Sequence, residues 1–365
     1  MTDWKQRTQA HEMQVPQFEF SSGESRTLRL HCWTLGSLNA ARDNAVLLLH
    51  GTTGSGTQFL EPDTADFLFR TGQPLDVDQF FIILPDAIGH GNSSKPSDAS
   101  EVFPHYGYVD IVRAQHLVVN ELLGIHRLRL VLGTSMGGMN TWMWGITYPH
   151  MMDALMPIAC LPGSIRGMNL LFRRLMLALI QTDCSYNDVT ASLPSEGLGM
   201  AWNVFTLMIS GQAELAHTLV TPTAADQHLM DVARKAQASQ HPRDAVWEFL
   251  ASSDYDPCED LEKIVAPLLA VNFADDLINA SGFADLDATM QRVRRGSAVI
   301  IDAGARAGGH KTLAKAEVWN THVRDLLESS QPMKQSVIGS EVGLVSSGTH
   351  TAEYGGQCSD VESNE

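Results

Sequence analysis

The sequence predicts an α/β fold, with a mostly parallel sheet flanked by helices and an all-helical insertion in its second half. Three observations predict it. Short apolar runs recur at residues 45–49, 80–84, 128–132, 154–159, 268–273 and 298–301, as expected for strands buried on both faces of a parallel sheet. Helix-like periodicity lies between several of these runs, as strand–helix crossovers require. From residue 161 to about 260 the alternation stops, and Met- and Leu-rich helical runs at 167–181, 198–219, 224–239 and 243–252 take over.

Taken in order, residues 1–16 are polar and read as a loose N-terminal arm. Phe18-Glu19-Phe20 and Leu28 to Trp33 alternate around Ser21-Ser22-Gly23-Glu24, which predicts an antiparallel hairpin. The strand at 45–49 runs into the glycine-rich loop His50-Gly51-Thr52-Thr53-Gly54-Ser55-Gly56. No Lys-Ser/Thr pair follows Gly56, so a phosphate-binding P-loop is rejected. The strand at 80–84 stops at Pro85, and the turn residues 86–94 follow. Residues 107–124 are helical, ending at Gly124, with Asp110 placed to favour the helix dipole. Pro149 ends the helix after the central strand. Beyond the insertion, strands at 268–273 and 298–301 flank a helix at 284–295, and a closing helix spans 311–328. The domain reading is therefore an arm (1–16), a first core segment (17–161), a helical cap (162–260), a second core segment (261–329) and a disordered tail (330–365), the last from its Ser-, Gly- and Glu-rich composition.

The chemistry centres on residues 128–139. Alternating apolar residues to Leu132 lead into Gly133-Thr134-Ser135-Met136-Gly137, a G-x-S-x-G motif, and a helical run follows. Strand, sharp turn and helix are the context in which that motif exposes a nucleophilic serine. A serine hydroxyl needs a base to take its proton and a carboxylate to orient that base. His310, preceded by Gly308 and Gly309 after the last strand, is the candidate base, and Asp275 and Asp276 compete as the acid. Serine, aspartate and histidine then fall at the carboxyl ends of parallel strands, on one edge of the sheet.

Together, His50-Gly51-Thr52-Thr53-Gly54, Phe103-Pro104 with Asp110-Ile111-Val112-Arg113-Ala114-Gln115, and Gly133 to Met139 resemble the α/β-hydrolase superfamily. Within it, the chain is most similar to the homoserine O-acetyltransferase-like branch, well over residues 17–162 and fairly over 262–327. The resemblance implies Ser135 as nucleophile, His310 as base and an oxyanion hole from the backbone N–H groups of Thr52 and Met136. Its Asp-x-Leu-aromatic-Pro pattern aligns on Asp275, with Leu277 and Ile278 in register, and so favours Asp275 over Asp276. It makes the 86–94 turn structural, and His50 reads as structural too.

Three departures bear on the reaction. Homoserine acetyltransferases carry an Asn-initiated, Gly-Pro-terminated loop where this chain has the hydrolase-like Asp86 to Pro96. Their nucleophile sits in Gly-Gly-Ser-Met-Gly-Gly-Met-Gln, against Gly-Thr-Ser here and Asn140 at the end. Their cap carries Asp-Pro-x-Trp, against Asp183-Cys184-Ser185-Tyr186. The expectation is a serine hydrolase (esterase or thioesterase) cleaving a small ester, thioester or lactone through an acyl-enzyme on Ser135. The alternatives are an acyl-CoA-dependent O-acyltransferase of the homoserine acetyltransferase-like type, and a non-hydrolytic lyase or ligand-binding member.

Composition bounds the rest. With 44% hydrophobic and 18% charged residues in 365, the chain can bury a large core. A formal charge of −17 argues against nucleic-acid or anionic-membrane partners. Five scattered cysteines give neither a disulfide framework nor a metal pattern. No cofactor is expected beyond acyl-CoA as co-substrate of a transferase, and no metal. The N-terminus lacks the apolar core of a signal peptide, so a cytoplasmic location is expected. The sequons at Asn92 and Asn279 are read as chance. The partner is a small acyl substrate, and apolar residues in the tail leave a homodimer open.

Overall fold

The computed structural model of the protein describes residues 4–99, 101–186 and 195–330. In chain order the first half contains β1 (Thr8–Glu19), β2 (Ser25–Leu35), β3 (Ala45–Leu49), α1 (Pro62–Leu68), β4 (Phe81–Pro85), α2 (Tyr108–Leu117), β5 (Leu130–Thr134), α3 (Met136–Thr147) and β6 (Leu155–Ile158). The helices α4 (Gly167–Gln181), α5 (Glu196–Ile209), α6 (Gln212–Thr218), α7 (Pro222–Ser239) and α8 (Pro242–Leu250) follow. Then come β7 (Leu268–Phe273), α9 (Leu286–Met290), β8 (Gly296–Ile301) and α10 (Asn320–Ser329).

The eight strands form one sheet in the order β1-β2-β4-β3-β5-β6-β7-β8. β1, β2 and β4 pair antiparallel in sequence, and every pair from β4–β3 to β7–β8 is parallel. Burial on both faces explains the apolar runs of the inner strands, whereas β8, at the sheet edge and expected to be buried too, is only partly covered. Along β3, Ala45, Leu47 and Leu49 enter the core beneath α2 and α3, while Val46 and Leu48 enter the core beneath α1 and α10. α2 continues into one π-helical turn at Val118–Leu122, and the chain leaves it at Gly124 (φ +61°).

Several elements differ from expectation. The arm read at 1–16 is in large part β1, whose register with β2 runs from Thr8 opposite Leu35 to Val15 opposite Leu28. It is an edge strand with one face in solvent, so its polar composition hid it. A register shift between Val15 and Phe18 accommodates Pro16, and Trp4 is buried against Phe69. The short α1, opened by Pro62, carries no periodic signal and was not expected. The closing helix is α-helical only from Asn320, after 3-10 turns. The reading of the tail falls on residues 331–365, outside the described residues. Ser330, just before it, is buried.

The inserted helices carry a small core of their own, built from Met176, Leu177, Ile180, Leu198, Ala201, Met208, Val246 and Phe249. The run expected as one helix at 198–219 is broken at Ser210-Gly211 into α5 and α6. Among the joints that tie this cap to the sheet domain are three made by Asp244, Asp254 and Gly211. Asp244 of α8 accepts from the backbone N–H (2.7 Å) and the hydroxyl (2.6 Å) of Ser97. Asp254 accepts from the N–H groups of Tyr108 (2.9 Å) and Val109 (3.2 Å), capping α2. The third joint is backbone on backbone. A Cβ on Gly211 would stand 2.8 Å from the Gly308 carbonyl carbon, and one on Gly309 would stand 2.7 Å from the Gly211 nitrogen.

Candidate active site

Ser135 lies between β5 and α3 with φ +54° and ψ −114°, a conformation L-residues rarely adopt. The surrounding glycines explain how the turn is tolerated. A Cβ at Gly133 would approach the Gly137 carbonyl oxygen to 2.0 Å, and one at Gly137 would approach that of Leu49 to 1.9 Å. The turn is further held by the Ser135 N–H, which donates to the Ile158 carbonyl (2.8 Å). The strain projects the serine side chain off the sheet edge.

His310 Nε2 stands 2.8 Å from Ser135 Oγ, across 175 residues of sequence. Its Nδ1 stands 2.7 Å from Asp276 Oδ2. Sequence alignment had favoured Asp275 for that position, and the geometry corrects it by one residue. The Asp276 N–H closes a tight turn on the Phe273 carbonyl, which sends its side chain inward, where it is fully buried. Asp275 points the other way and accepts from the Gly309 N–H (2.7 Å), so it fixes the loop leading into His310 without touching the ring. Asp276 also accepts from the Ile278 N–H (2.9 Å) and from Asn279 Nδ2 (2.8 Å). Those bonds leave its carboxylate one orientation, with one oxygen toward the imidazole.

The oxyanion candidates come from two segments. Met136 is the first residue of α3, so its N–H has no carbonyl one turn earlier to receive it. Thr52 follows β3, in a loop fixed by two buried histidines. The Ala87 N–H donates to His50 Nε2 (3.1 Å), which makes Nδ1 the protonated nitrogen, and Nδ1 donates to the Gly51 carbonyl (2.9 Å). In a trans peptide, fixing the Gly51 carbonyl also fixes the direction of the Thr52 N–H. Burial pushes the His50 pKa down to about 4, so the ring that does this is neutral. His90 Nε2 lies 2.7 Å from the Thr52 carbonyl, and burial together with His50 holds its pKa down to about 4 as well. From the cap, the buried Glu248 lies 3.9 Å from His90, and burial with Asp244 raises its pKa well above the ordinary carboxyl range.

Asp86 is a structural hub, as its turn implied. It accepts from the Gly56 N–H (2.7 Å) and the Asn92 N–H (2.9 Å), with His31 Nδ1 at 2.8 Å. Asp183, in the segment nearest to the cap motif of homoserine acetyltransferases, accepts from the Ser195 hydroxyl (3.0 Å) and the Gly197 N–H (2.6 Å), and so anchors the start of α5. Sequence reasoning missed Asn279, and found no role for Gln58, His90 or Glu248. Gln58, His90 and Glu248 each act through partners distant in sequence. Among the described residues no His/Cys/Asp/Glu cluster is arranged to hold a metal, and no helix is long and apolar enough to cross a membrane.

This sheet order, with a strained serine after β5, defines the α/β-hydrolase fold. A family model described as alpha/beta hydrolase fold matches residues 44–181. A homoserine O-acetyltransferase of Rhodopseudomonas palustris is 33% identical over 225 residues, covering 53% of this chain and 55% of the relative. The chain spans about half the length (49–55%) of this and other curated relatives that it matches. Among solved structures, homoserine O-acetyltransferase from Bacillus anthracis superposes with a TM-score of 0.78 at 17% identity, over 88% of this chain and 98% of that one. An acetylester hydrolase from Corynebacterium glutamicum gives 0.76 at 20% identity, over 88% and 96%. The chain therefore has the α/β-hydrolase fold, and about half of it is similar in sequence to homoserine O-acetyltransferases.

Proposed function

We propose that the protein is an acyl-transfer enzyme working through an acyl-enzyme on Ser135, with an acyl-CoA thioester as donor and an alcohol hydroxyl as acceptor. The observation that carries the covalent step is the relay from Ser135 Oγ through His310 to Asp276. His310 Nε2 takes the serine proton as Oγ attacks the acyl carbon. Asp276 holds the ring in the required tautomer and stabilises the imidazolium. The N–H groups of Thr52 and Met136 receive the charge that develops on the acyl oxygen. His310 returns its proton to the leaving thiol, then activates the acceptor in the second half-reaction. The sequence relatives named as acyltransferases support transfer over the hydrolysis first expected.

The acceptor differs from homoserine on this reading, because Asp183 is committed to anchoring α5. Hydrolysis is the second reading, favoured by the Asp86 turn and by esterases among the structural neighbours. The test begins with a Ser135-specific fluorophosphonate and the Ser135→Ala variant, which should lose up to about 10⁶ in kcat. Residual turnover above a tenth of wild type would end the covalent reading. Partition of the acetyl-enzyme between water and added alcohols then decides the acceptor. Release to water alone, with every alcohol tried, would make the protein an esterase.

A further inference from the structure

The two proposed oxyanion donors sit on chain segments more than eighty residues apart, and their separation must hold to tenths of an ångström for both to meet one oxygen. One side chain bridges those segments. Gln58 Oε1 accepts from the Gly51 N–H (2.9 Å), one residue before Thr52, and its Nε2 donates to Thr134 Oγ1 (2.8 Å), one residue before Ser135. The amide orientation is unambiguous, because the Gly51 N–H can only donate. We propose that Gln58 is a positioning residue that sets the register between the oxyanion loop and the nucleophile turn, with Thr134 as its anchor. The proposal rests on the acyl-enzyme reading above.

The surroundings are built to hold this bridge. The turn carrying Gln58 (Gly56–Leu60) is pinned by the Gly56 N–H bond to Asp86 and by the fully buried Phe59. A Cβ on Gly54 would stand 2.6 Å from Gln58 Oε1, so the loop bends around the amide only because residue 54 has no side chain. Thr134 is itself buried, and its hydroxyl receives the amide away from bulk water. The homoserine acetyltransferase pattern has glycine where this chain has Thr134. A glycine offers no hydroxyl, so the bridge is a device of this chain.

The test uses Gln58→Met, which keeps the length and removes both polar atoms, Thr134→Val, which removes the hydroxyl, and Thr134→Ser, which restores it. Single-turnover acylation of Ser135 by p-nitrophenyl acetate should slow about 10- to 100-fold in the first two variants, a fraction of what loss of a whole oxyanion donor costs. Thr134→Ser should stay within about threefold of wild type. The double variant should be no slower than the worse single one, since both break one bridge. Apparent substrate affinity should hold, and exchange of the Gly51 amide proton should accelerate in Gln58→Met. A role in stability alone would lower the melting temperature and leave acylation untouched below it, and that result overturns the proposal. So do additive losses in the double variant, or unchanged Gly51 exchange. If Gln58→Met does not fold, Thr134→Val and its serine rescue decide the matter. Failure of the fluorophosphonate to label wild-type Ser135 would overturn the acyl-enzyme reading instead. The bridge would then stand or fall on Gly51 exchange in the same variants.

Discussion

At the end of β7 two adjacent aspartates enter one turn and leave it in different directions. Asp276 faces the His310 ring and Asp275 faces the Gly309 N–H, so their substitutions separate orientation of the base from support of its loop. Asp276→Asn should cut kcat by about 10⁴ with little change in KM, because the amide favours the wrong imidazole tautomer. Asp275→Asn keeps an acceptor oxygen for Gly309 and should cost within about tenfold, on the scale of a single hydrogen bond. The check is kcat and KM for both variants at matched folding, and the reverse order would return the role to Asp275. Ser135 and His310 were legible in the sequence because each is flagged by glycines following an apolar strand. The choice between the aspartates was not, since it depends on a turn closed by the Phe273 carbonyl, and that turn leaves no periodic trace. The same holds for Asn279, an ordinary polar residue until the turn brings it to Asp276.

Among the elements, the buried strands were readable because apolar runs that enter two cores leave no polar position. β1 was not, since an edge strand need satisfy only one face. The end of α10 shows a third kind of dependence, fixed from outside the helix. Arg129, just before β5, is nearly buried and donates to the carbonyls of Leu327 and Ser330 (both 2.5 Å) and to the Ser330 hydroxyl (3.0 Å). A cation at a helix C-terminus receives the orphan carbonyls and complements the dipole. Arg129→Ala should therefore destabilise the protein by about 1.5–3 kcal/mol, the range for hydrogen bonds to a charged group, with kcat near wild type. Thermal melts paired with assays well below the midpoint check it, and an unchanged midpoint would mean that water replaces the guanidinium without cost.

For the whole molecule, the cap carries a small core of its own, and its joint at Gly211 reaches the loop that carries His310. The sequence located the cap by the loss of strand–helix alternation, but no pattern in it revealed where the cap touches the sheet domain. The joint at Gly211 meets the loop entering His310 one residue before the histidine, and it has no side chain to yield. Gly211→Ala should push the Gly308-Gly309 backbone and move the imidazole. A displacement near 1 Å can cost about 10²-fold in rate, so kcat should fall at least tenfold while the melt shifts little. An alanine variant with wild-type kcat would show that the cap gives way first.

That joint also limits how the protein can be rebuilt. Where two loops meet through bare backbone, neither can acquire a side chain unless the other retreats, so a substitution at 211 or 309 needs a compensating shift of the facing loop. A chimera that takes its cap from a relative would bring a foreign corner against this histidine loop and should be inactive even if both halves fold. Laboratory evolution of acceptor preference would therefore do best to hold residues 210–211 and 308–309 fixed.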